Sequence, residues 1–562
     1  MNSKWILPET PSAEQIDEIV QKTGTTRLVA AILSVRGFSS DEAAVFLEKD
    51  FKTSTDPYLF RDMEKAVSRI RAAIQEGEQI TVFGDYDADG ITSSAILVHC
   101  LKSLGAKVTF YIPERENEGY GMSVRAVDAI AKTGTTLIIS VDCGVTAVEE
   151  CEHAKALGID LIVTDHHECG ADLPRAKAVI DPKCAADTYP DRNLAGVGVA
   201  LKLCQALKKD EQSYSETMAD YADLSALGTI ADIVPLLGEN RVLCDMGLKQ
   251  MVKTHNVGLK ALLTQADLAG KAMDSTKVGF QIAPKINAVG RLDNASLAVE
   301  MFLTEDAENA AKIAQNLDEC NRQRQNIEME ILDDAVKMVE KYYKDDAVLV
   351  LSNKKWHHGV VGIVASRLTK KYNKPCILIS PGADGYYKGS GRSLDGFSLY
   401  DALNACGDVL VRFGGHELAA GLVIDRTKVD AFREKINEYA KAVLNGKALL
   451  PCIAADCELR GRHLNEAVAK SLDVLQPYGA GNPQPVFMIK NMTVQRVSAI
   501  GSAGQHLRLS LSKDGCTVGA VAFGFGGRKD ITFGAVVSVM ANLEINSFRG
   551  VENVQLKIID IR

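Results

Sequence analysis

Three β-rich runs in the first half of the chain pass directly into acidic residues, and this pattern constrains the fold more than any other feature. Gln79–Phe83 leads into Gly84-Asp85-Tyr86-Asp87-Ala88-Asp89-Gly90, Thr136–Val141 into Asp142-Cys143-Gly144, and Asp160–Thr164 into Asp165-His166-His167-Glu168. A further run, Lys107–Ile112, lies between the first two, and helix-like segments separate all four. Two of these segments stop at Gly105 and Gly158, just before the next strand, as helix C-terminal caps do. Such alternation predicts an α/β fold with a mostly parallel sheet covered on both faces. In open α/β sheets ligands bind in the crevice beyond the carboxyl ends of the strands. All three acidic clusters sit at that edge, so they are expected to converge.

Crowded carboxylates raise one another's pKa values and destabilise a fold unless a cation neutralises them. Aspartate oxygens with an imidazole suit Mn²⁺ or Mg²⁺. Each Asp alone could equally be a helix N-cap at a βα turn. Together, with His166 and His167 at the third edge, they predict a metal site. Asp85–Gly90 also has the D-x-D-x-D-G opening of a calcium loop, but the twelfth position, which must be Glu, is Ile96. The run also follows a strand, where that loop follows a helix. Calcium is therefore excluded. The 13 Cys are never spaced C-x-x-C, which argues against a zinc ribbon or a thioredoxin-type site. Unpatterned thiols suit a reducing compartment, so a cytoplasmic protein is expected.

Residues 1–60 read as an N-terminal helical segment, and 61–304 as the domain that carries the acidic edges. Glu305–Tyr343 has neither Gly nor Pro and keeps helical apolar spacing, which predicts a long connecting helix over 305–343. Its wholly polar stretch Asn321–Asn326 admits a break. A second α/β unit is expected over 344–446, with strands near Ala347–Leu351 and Cys376–Ser380 and a helix Lys428–Leu444. From 451 to 562, short strands and glycine turns predict a small β-barrel. They are Val486–Lys490, Thr493–Ile500, Leu507–Ser512, Cys516–Ala522, Val536–Leu543 and Val554–Ile559. No apolar run approaches the ~18 residues that span a bilayer, so no membrane partner is expected. The start, MNSKWILPETPSAEQ, has no apolar core of a secretion signal.

Taken in order, Gly84–Gly90, Val141–Gly144, Thr164–His167 and Gly228-Thr229-Ile230-Ala231-Asp232 resemble the four motifs of the DHH phosphoesterase superfamily. The likeness continues through Asn287–Leu292, Trp356–Ile363, Gly389–Ser393, Gly414-Gly415-His416 and Pro477–Pro483. It covers nearly everything after residue 60, and within the superfamily it is similar to the bacterial single-strand-specific 5′→3′ exonucleases. It implies a DHH domain, a DHH-associated substrate-binding domain and a C-terminal OB-fold. It also implies metal ligation by Asp87, Asp89, Asp142, His166 and Asp232, with Asp142 bridging two ions and Asp85 as an extra ligand. Related enzymes often carry a histidine where this chain has Phe83, which implies that one ion is held more weakly. Asp142, His166 and His167 form the implied catalytic set, with His167 facing the scissile phosphate.

On the substrate side, Gly389-Ser390-Gly391-Arg392-Ser393 offers exposed backbone N–H groups and a guanidinium that can fork onto phosphate. Gly414-Gly415-His416 has the same character. The resemblance gives Ser390, Arg392 and His416 a substrate role and sets Arg291 at the 5′ end. His357-His358 stands before a helix, as either a phosphate site or a cap. Overall the chain has 64 Lys+Arg against 73 Asp+Glu, yet residues 451–562 carry a local balance of +3. That suits an OB-fold gripping single strands, with Phe523, Phe525, Phe533 and Phe548 as stacking candidates.

The function implied is a monomeric, Mn²⁺- or Mg²⁺-dependent exonuclease on single-stranded DNA, releasing 5′-mononucleotides in recombination and repair. Two ions per site, a single-strand-binding protein and a helicase are the expected companions. The alternatives are a phosphodiesterase for short oligonucleotides or small nucleotides, and a non-catalytic scaffold at the replication fork. The barrel segment speaks against the first, and the intact carboxylate and histidine motifs against the second.

Overall fold

The structure, a computed structural model, describes residues 3–49, 55–115, 118–119, 121–210, 212–382, 385–447, 449–548 and 551–562. It divides into two compact units.

The larger unit, Ser54–Val234 with Met246–Leu450, contains the acidic edges. Its first sheet has strands β1 (Gln79–Gly84), β2 (Lys107–Tyr111), β3 (Thr135–Val141), β4 (Asp160–Thr164) and β5 (Ala178–Ile180). All neighbours are parallel, in the order β2-β1-β3-β4-β5. The β-branched runs of β1 and β3 are buried on both faces, as expected for strands covered by helices. With this order the chain turns one way after β1 and the other way after β3, opening a crevice between their carboxyl ends. Asp85–Asp89 and Asp142 emerge there.

Helices α1 (Ala88–Ser103), α2 (Gly196–Lys208) and α3 (Tyr214–Asp232) pack on one another beside this sheet. The long helix α5 (Ala307–Met338), which follows α4 (Ala283–Leu292), continues into a π-helical turn at Val339–Tyr343. It is unbroken at Asn321–Asn326, where Arg324 pairs with Asn321 and Glu328 one turn along. Those local pairs satisfy the polar stretch without leaving the helix. Beyond α5 lies a mixed sheet of β6 (Leu349–Ser352), β7 (Cys376–Pro381), β8 (Tyr387–Arg392), β9 (Arg412–Gly415) and β10 (Ala419–Ile424), in the order β9-β10-β8-β7-β6. Helix α6 (His358–Tyr372) packs on β7, β8 and α5.

The smaller unit joins three parts of the chain: Met1–Thr53, Pro235–Asp245 and Pro451–Arg562. The first 53 residues thus group with the C-terminal segment. Helices Ala13–Thr23 and Arg27–Val35 put Ile19, Val29 and Leu33 into one core with Phe487, Leu509 and Leu556. The buried guanidinium of Arg241 donates to the carbonyls of Phe46, Val474 and Leu475. An amphipathic pattern shows that a helix buries one face, but not what covers it. Five strands close into a barrel: β11 (Phe487–Ile500), β12 (His506–Lys513), β13 (Cys516–Ala522), β14 (Val536–Phe548) and β15 (Val551–Ile561). Closure comes from β14, which pairs with both β15 and β11. The two strands expected at 486–490 and 493–500 are one strand, with an irregularity between Ile489 and Met492 around the left-handed Asn491. Among the described residues no helix is long and apolar enough to cross a membrane.

Candidate functional site

The acidic edges do converge. Asp87 is the N-cap of α1, and its Oδ1 accepts from the N–H groups of Asp89 (2.9 Å) and Gly90 (3.1 Å). Capping and ligation are therefore compatible here, because the second oxygen of Asp87 stays available. Asp89 lies one step into the helix, 1 % exposed, and accepts from the N–H groups of Gly196 and Val197, both at 2.8 Å. These belong to the N-terminus of α2, whose dipole favours a carboxylate. Asn287, on α4, accepts from the Ala88 N–H at 2.8 Å and fixes the same turn.

Asp142 ends β3 in a left-handed conformation (φ 59), which turns its side chain back toward the β1 edge. Gly196 is required opposite it: a Cβ there would lie 2.4 Å from Asp142 Oδ1. His166 follows β4, and its Nε2 stands 3.1 Å from Asp142 Oδ1, 3.6 Å from Asp232 Oδ2 and 3.9 Å from Asp89 Oδ2. Burial pushes His166 down to about 4, so the imidazole is neutral at pH 7 and these approaches are not ion pairs. Burial first, then the neighbouring carboxylates, raise Asp89 and Asp142 well above the ordinary range and lift Asp85 to about 8. Asp232, at the end of α3, is raised for the same first reason.

Several buried atoms in this crevice have no hydrogen-bond partner: Asp85 Oδ1, Asp142 Oδ1 and both ring nitrogens of His166. Buried polar atoms left without partners are costly, and a cation lying between them would serve them together. Their ligand atoms fall into two sets, Asp85–Asp87–Asp142 and Asp89–His166–Asp232, each within 4.8 Å. Asp142 also groups with His166 and His167, which makes it the link between the sets. Oxygen-rich donors with one neutral imidazole fit Mn²⁺ or Mg²⁺. Phe83, where a histidine ligand was the alternative, is fully buried and stacked on Tyr111 at 5.7 Å between centroids.

His167 groups with Asp142 and His166 but is also tied to Asp165. Its Nδ1 lies 2.7 Å from Asp165 Oδ1, and that carboxylate also accepts from the N–H groups of Val145, His166 and His167. Burial alone would lower His167, but the Asp165 hydrogen bond and charge raise it above the usual range. Burial would likewise raise Asp165, yet the His167 bond and the Val145 N–H hold it low.

A cavity of about 480 Å³ opens beside Tyr86, lined among others by Arg115, Arg291, His357, His358 and Lys388. Arg291 donates to the Gly359 carbonyl at 2.8 Å, so it ties α4 to the start of α6. Burial and then the charge of Arg115 depress Arg291 to about 10. His357 proves to be the N-cap of α6, with Nδ1 accepting from Gly359 N–H at 3.1 Å, and it also lines the cavity. Arg392 bonds the Ser390 hydroxyl and its own neighbour's carbonyl. His416 is exposed in the turn between β9 and β10. Arg115 was missed by sequence reading, although it follows β2 at the same carboxyl edge. In the barrel, Phe523 and Phe533 are exposed, whereas Phe525 packs on the core; the Phe548 side chain lies outside the described residues.

Comparison with known proteins gives three successive family matches: the DHH family N-terminal domain over residues 79–229, the DHHA1 domain over 324–442 and the RecJ OB domain over 455–560. The single-stranded-DNA-specific exonuclease RecJ of Bacillus subtilis is 37 % identical, across 99 % of this chain and 70 % of its own length. The chain belongs to the RecJ family. Its fold agrees with RecJ from Thermus thermophilus solved in complex with Mn²⁺, at a TM-score of 0.86 and 31 % identity over 100 % of this chain and 79 % of that one. RecJ of the same organism solved in complex with Mg²⁺ matches at a TM-score of 0.79 and 29 % identity, over 100 % and 78 % of the two chains.

Proposed function

We propose that this RecJ-family chain is a cation-dependent exonuclease that degrades single-stranded DNA from the 5′ end and releases 5′-mononucleotides. The observation that carries the reading is the pair of donor sets joined at Asp142, with Asp85 Oδ1, Asp142 Oδ1 and both His166 nitrogens unpartnered. Asp85, Asp87 and Asp142 would hold one ion, and Asp89, His166 and Asp232 the other, with Asp142 shared. Bound Mn²⁺ or Mg²⁺ supplies Lewis-acid stabilisation of charge on the phosphoryl oxygens and acidifies an attacking water.

The remaining steps fall to the chain's own residues. The α2 N–H groups keep Asp89 fixed, so the ligand sphere is preorganised before substrate arrives. Asp165 orients His167 and favours its protonated form, and His167 Nε2 would donate to a non-bridging oxygen of the scissile phosphate as charge builds there. Arg115 and Arg291 face one cavity, and clustered guanidinium groups favour a multiply charged anion; a 5′-terminal phosphate has that charge. Ser390 and Arg392 hold the next phosphate, and His416 a more distant one. Seating the terminal phosphate in that cavity, beside Tyr86 of the acidic loop, would direct the first internucleotide bond toward the acidic crevice and so give 5′ polarity. The exposed Phe523 and Phe533 would stack on bases further along the strand. A helicase and a single-strand-binding protein would supply such strands in the cytoplasm, and the chain would work as a monomer.

Digestion of matched single-stranded and blunt duplex DNA with Mn²⁺ tests the reading. Single strands should be consumed and duplexes spared, and Asp142→Asn should cut turnover by about 10²–10³-fold or more with the fold intact. Near wild-type turnover by Asp142→Asn would remove the shared ligand from the account.

A further inference from the structure

Outside the acidic crevice, a second group of potential ligands lies where β4 and β5 end. Cys169 follows the His166–His167 segment, and Asp181 and Cys184 follow β5. The two sulfurs are 2.8 Å apart, and both ligand types lie within 4.8 Å of one another. Asp181 is fully buried; its Oδ1 accepts from the Lys183 N–H at 2.8 Å, but its Oδ2 has no partner. Cys184 is buried, while Cys169 is only partly covered, so the group is reachable from one side.

We infer that Cys169, Asp181 and Cys184 form a second cation site, for a thiophilic divalent ion such as Zn²⁺, distinct from the oxygen-rich crevice. Thiolate ligands select Zn²⁺ over Mg²⁺, and two sulfurs with one carboxylate leave a fourth position for water. The unpartnered Asp181 Oδ2 decides between this reading and a disulfide. Joining the sulfurs would leave that oxygen as unsatisfied as before, whereas a cation serves all three groups. Zn–S bonds of ~2.3 Å at a tetrahedral angle set two sulfurs about 3.8 Å apart, so Cys169, on its open side, swings outward by about 1 Å on binding. Burial raises both thiols above their usual range, and each must release its proton to the solvent when the ion binds. The site would clip the segment carrying His166 and His167 to the end of β5. Sequence spacing could not show it, because 14 residues separate the two cysteines and no C-x-x-C is present.

Titrating the full-length, reduced, metal-free protein with Co²⁺ in saturating Mg²⁺ tests the inference, because thiolate-to-cobalt charge transfer absorbs in the near ultraviolet and oxygen ligands give no such band. One equivalent should saturate the band, Zn²⁺ should displace it, and calorimetry in buffers of different ionisation enthalpy should report about two protons released. Cys169→Ser and Cys184→Ser should each abolish it, Asp181→Asn should weaken Co²⁺ at least tenfold, and Asp142→Asn should leave it in place. Should Cys184→Ser fail to fold, the half-covered Cys169→Ser carries the test. Absence of the band, its survival in the Cys169→Ser/Cys184→Ser double variant, or a pair that remains a disulfide under reductant would each overturn the inference.

Discussion

Asp142 Oδ1 approaches His166 Nε2 to 3.1 Å, and neither atom makes a hydrogen bond. One residue leaves β3 through a left-handed turn, the other leaves β4, and the parallel register of those strands brings them together. Both atoms are buried and unpaired, an arrangement that a shared cation would relieve. The crevice is thus a site whose empty form is under electrostatic strain.

That strain predicts a pH dependence of the metal-free protein. Asp85 has its folded-state pKa raised to about 8, chiefly by burial, so the folded state keeps a proton that the unfolded chain has released. Stability then falls as pH rises from the ordinary carboxylate range toward about 8, and Asp89 and Asp142 act in the same direction. His166, lowered to about 4, contributes the opposite slope up to its ordinary value, so the fall is clearest above ~6.5. Thermal melts at pH 6.5 and 8 should show a lower Tm at pH 8 without metal, and saturating Mn²⁺ should remove the difference. A metal-free Tm that rises over this range would contradict the assignment.

His167 separates chemistry from ligation. His167→Ala should lower the single-turnover rate by about 10²–10³-fold while Mn²⁺ affinity stays within a few-fold of wild type. Asp165→Asn should remove the interaction that raises His167, moving the alkaline limb of the rate profile to lower pH. Loss of bound Mn²⁺ in His167→Ala would make it a ligand instead.

The fold of the acidic domain was legible because buried parallel strands and helix caps leave local marks, and the edge rule then carried Asp85, Asp87, Asp89, Asp142 and His166 into one crevice. Asp232 came from the family resemblance, since nothing local distinguishes the end of α3. Arg115 stands at the same edge but was passed over, because a single Arg after a strand looks like any surface charge. The partnership of the first 53 residues with the barrel was not legible either. Ile19, Val29 and Leu33 announce a buried face, while their contacts with Phe487 and Leu509 are made across more than 400 positions of sequence.

Arg115 should report on the strand end. Arg115→Ala should raise KM about tenfold for strands with a 5′-phosphate, from the loss of charge-assisted hydrogen bonds worth ~1.5–3 kcal/mol, and should change little for a 5′-hydroxyl strand. Steady-state kinetics on the matched pair measures this, and an equal loss on both would place Arg115 elsewhere in the mechanism.

Deleting the barrel after Gly446 would strip the core from Ile19, Val29 and Leu33, so a point variant is the sound probe of its role. Phe533 is 75 % exposed and supports nothing in that core. Phe533→Ala should weaken binding of long single strands by about 1–3 kcal/mol, with cleavage of very short oligonucleotides unchanged and Tm preserved. Equal affinity of wild type and variant for long strands would exclude Phe533 from stacking.

Polarity and cation-dependent hydrolysis meet in one measurement. A single strand labelled at its 5′ end is incubated with the full-length protein and Mn²⁺, and the first labelled product is identified at early times, with a chelator-treated sample beside it. The account predicts a labelled 5′-mononucleotide from the outset and no product after chelation. A label that persists in progressively shortened strands, or cleavage that survives removal of the metal, would contradict it.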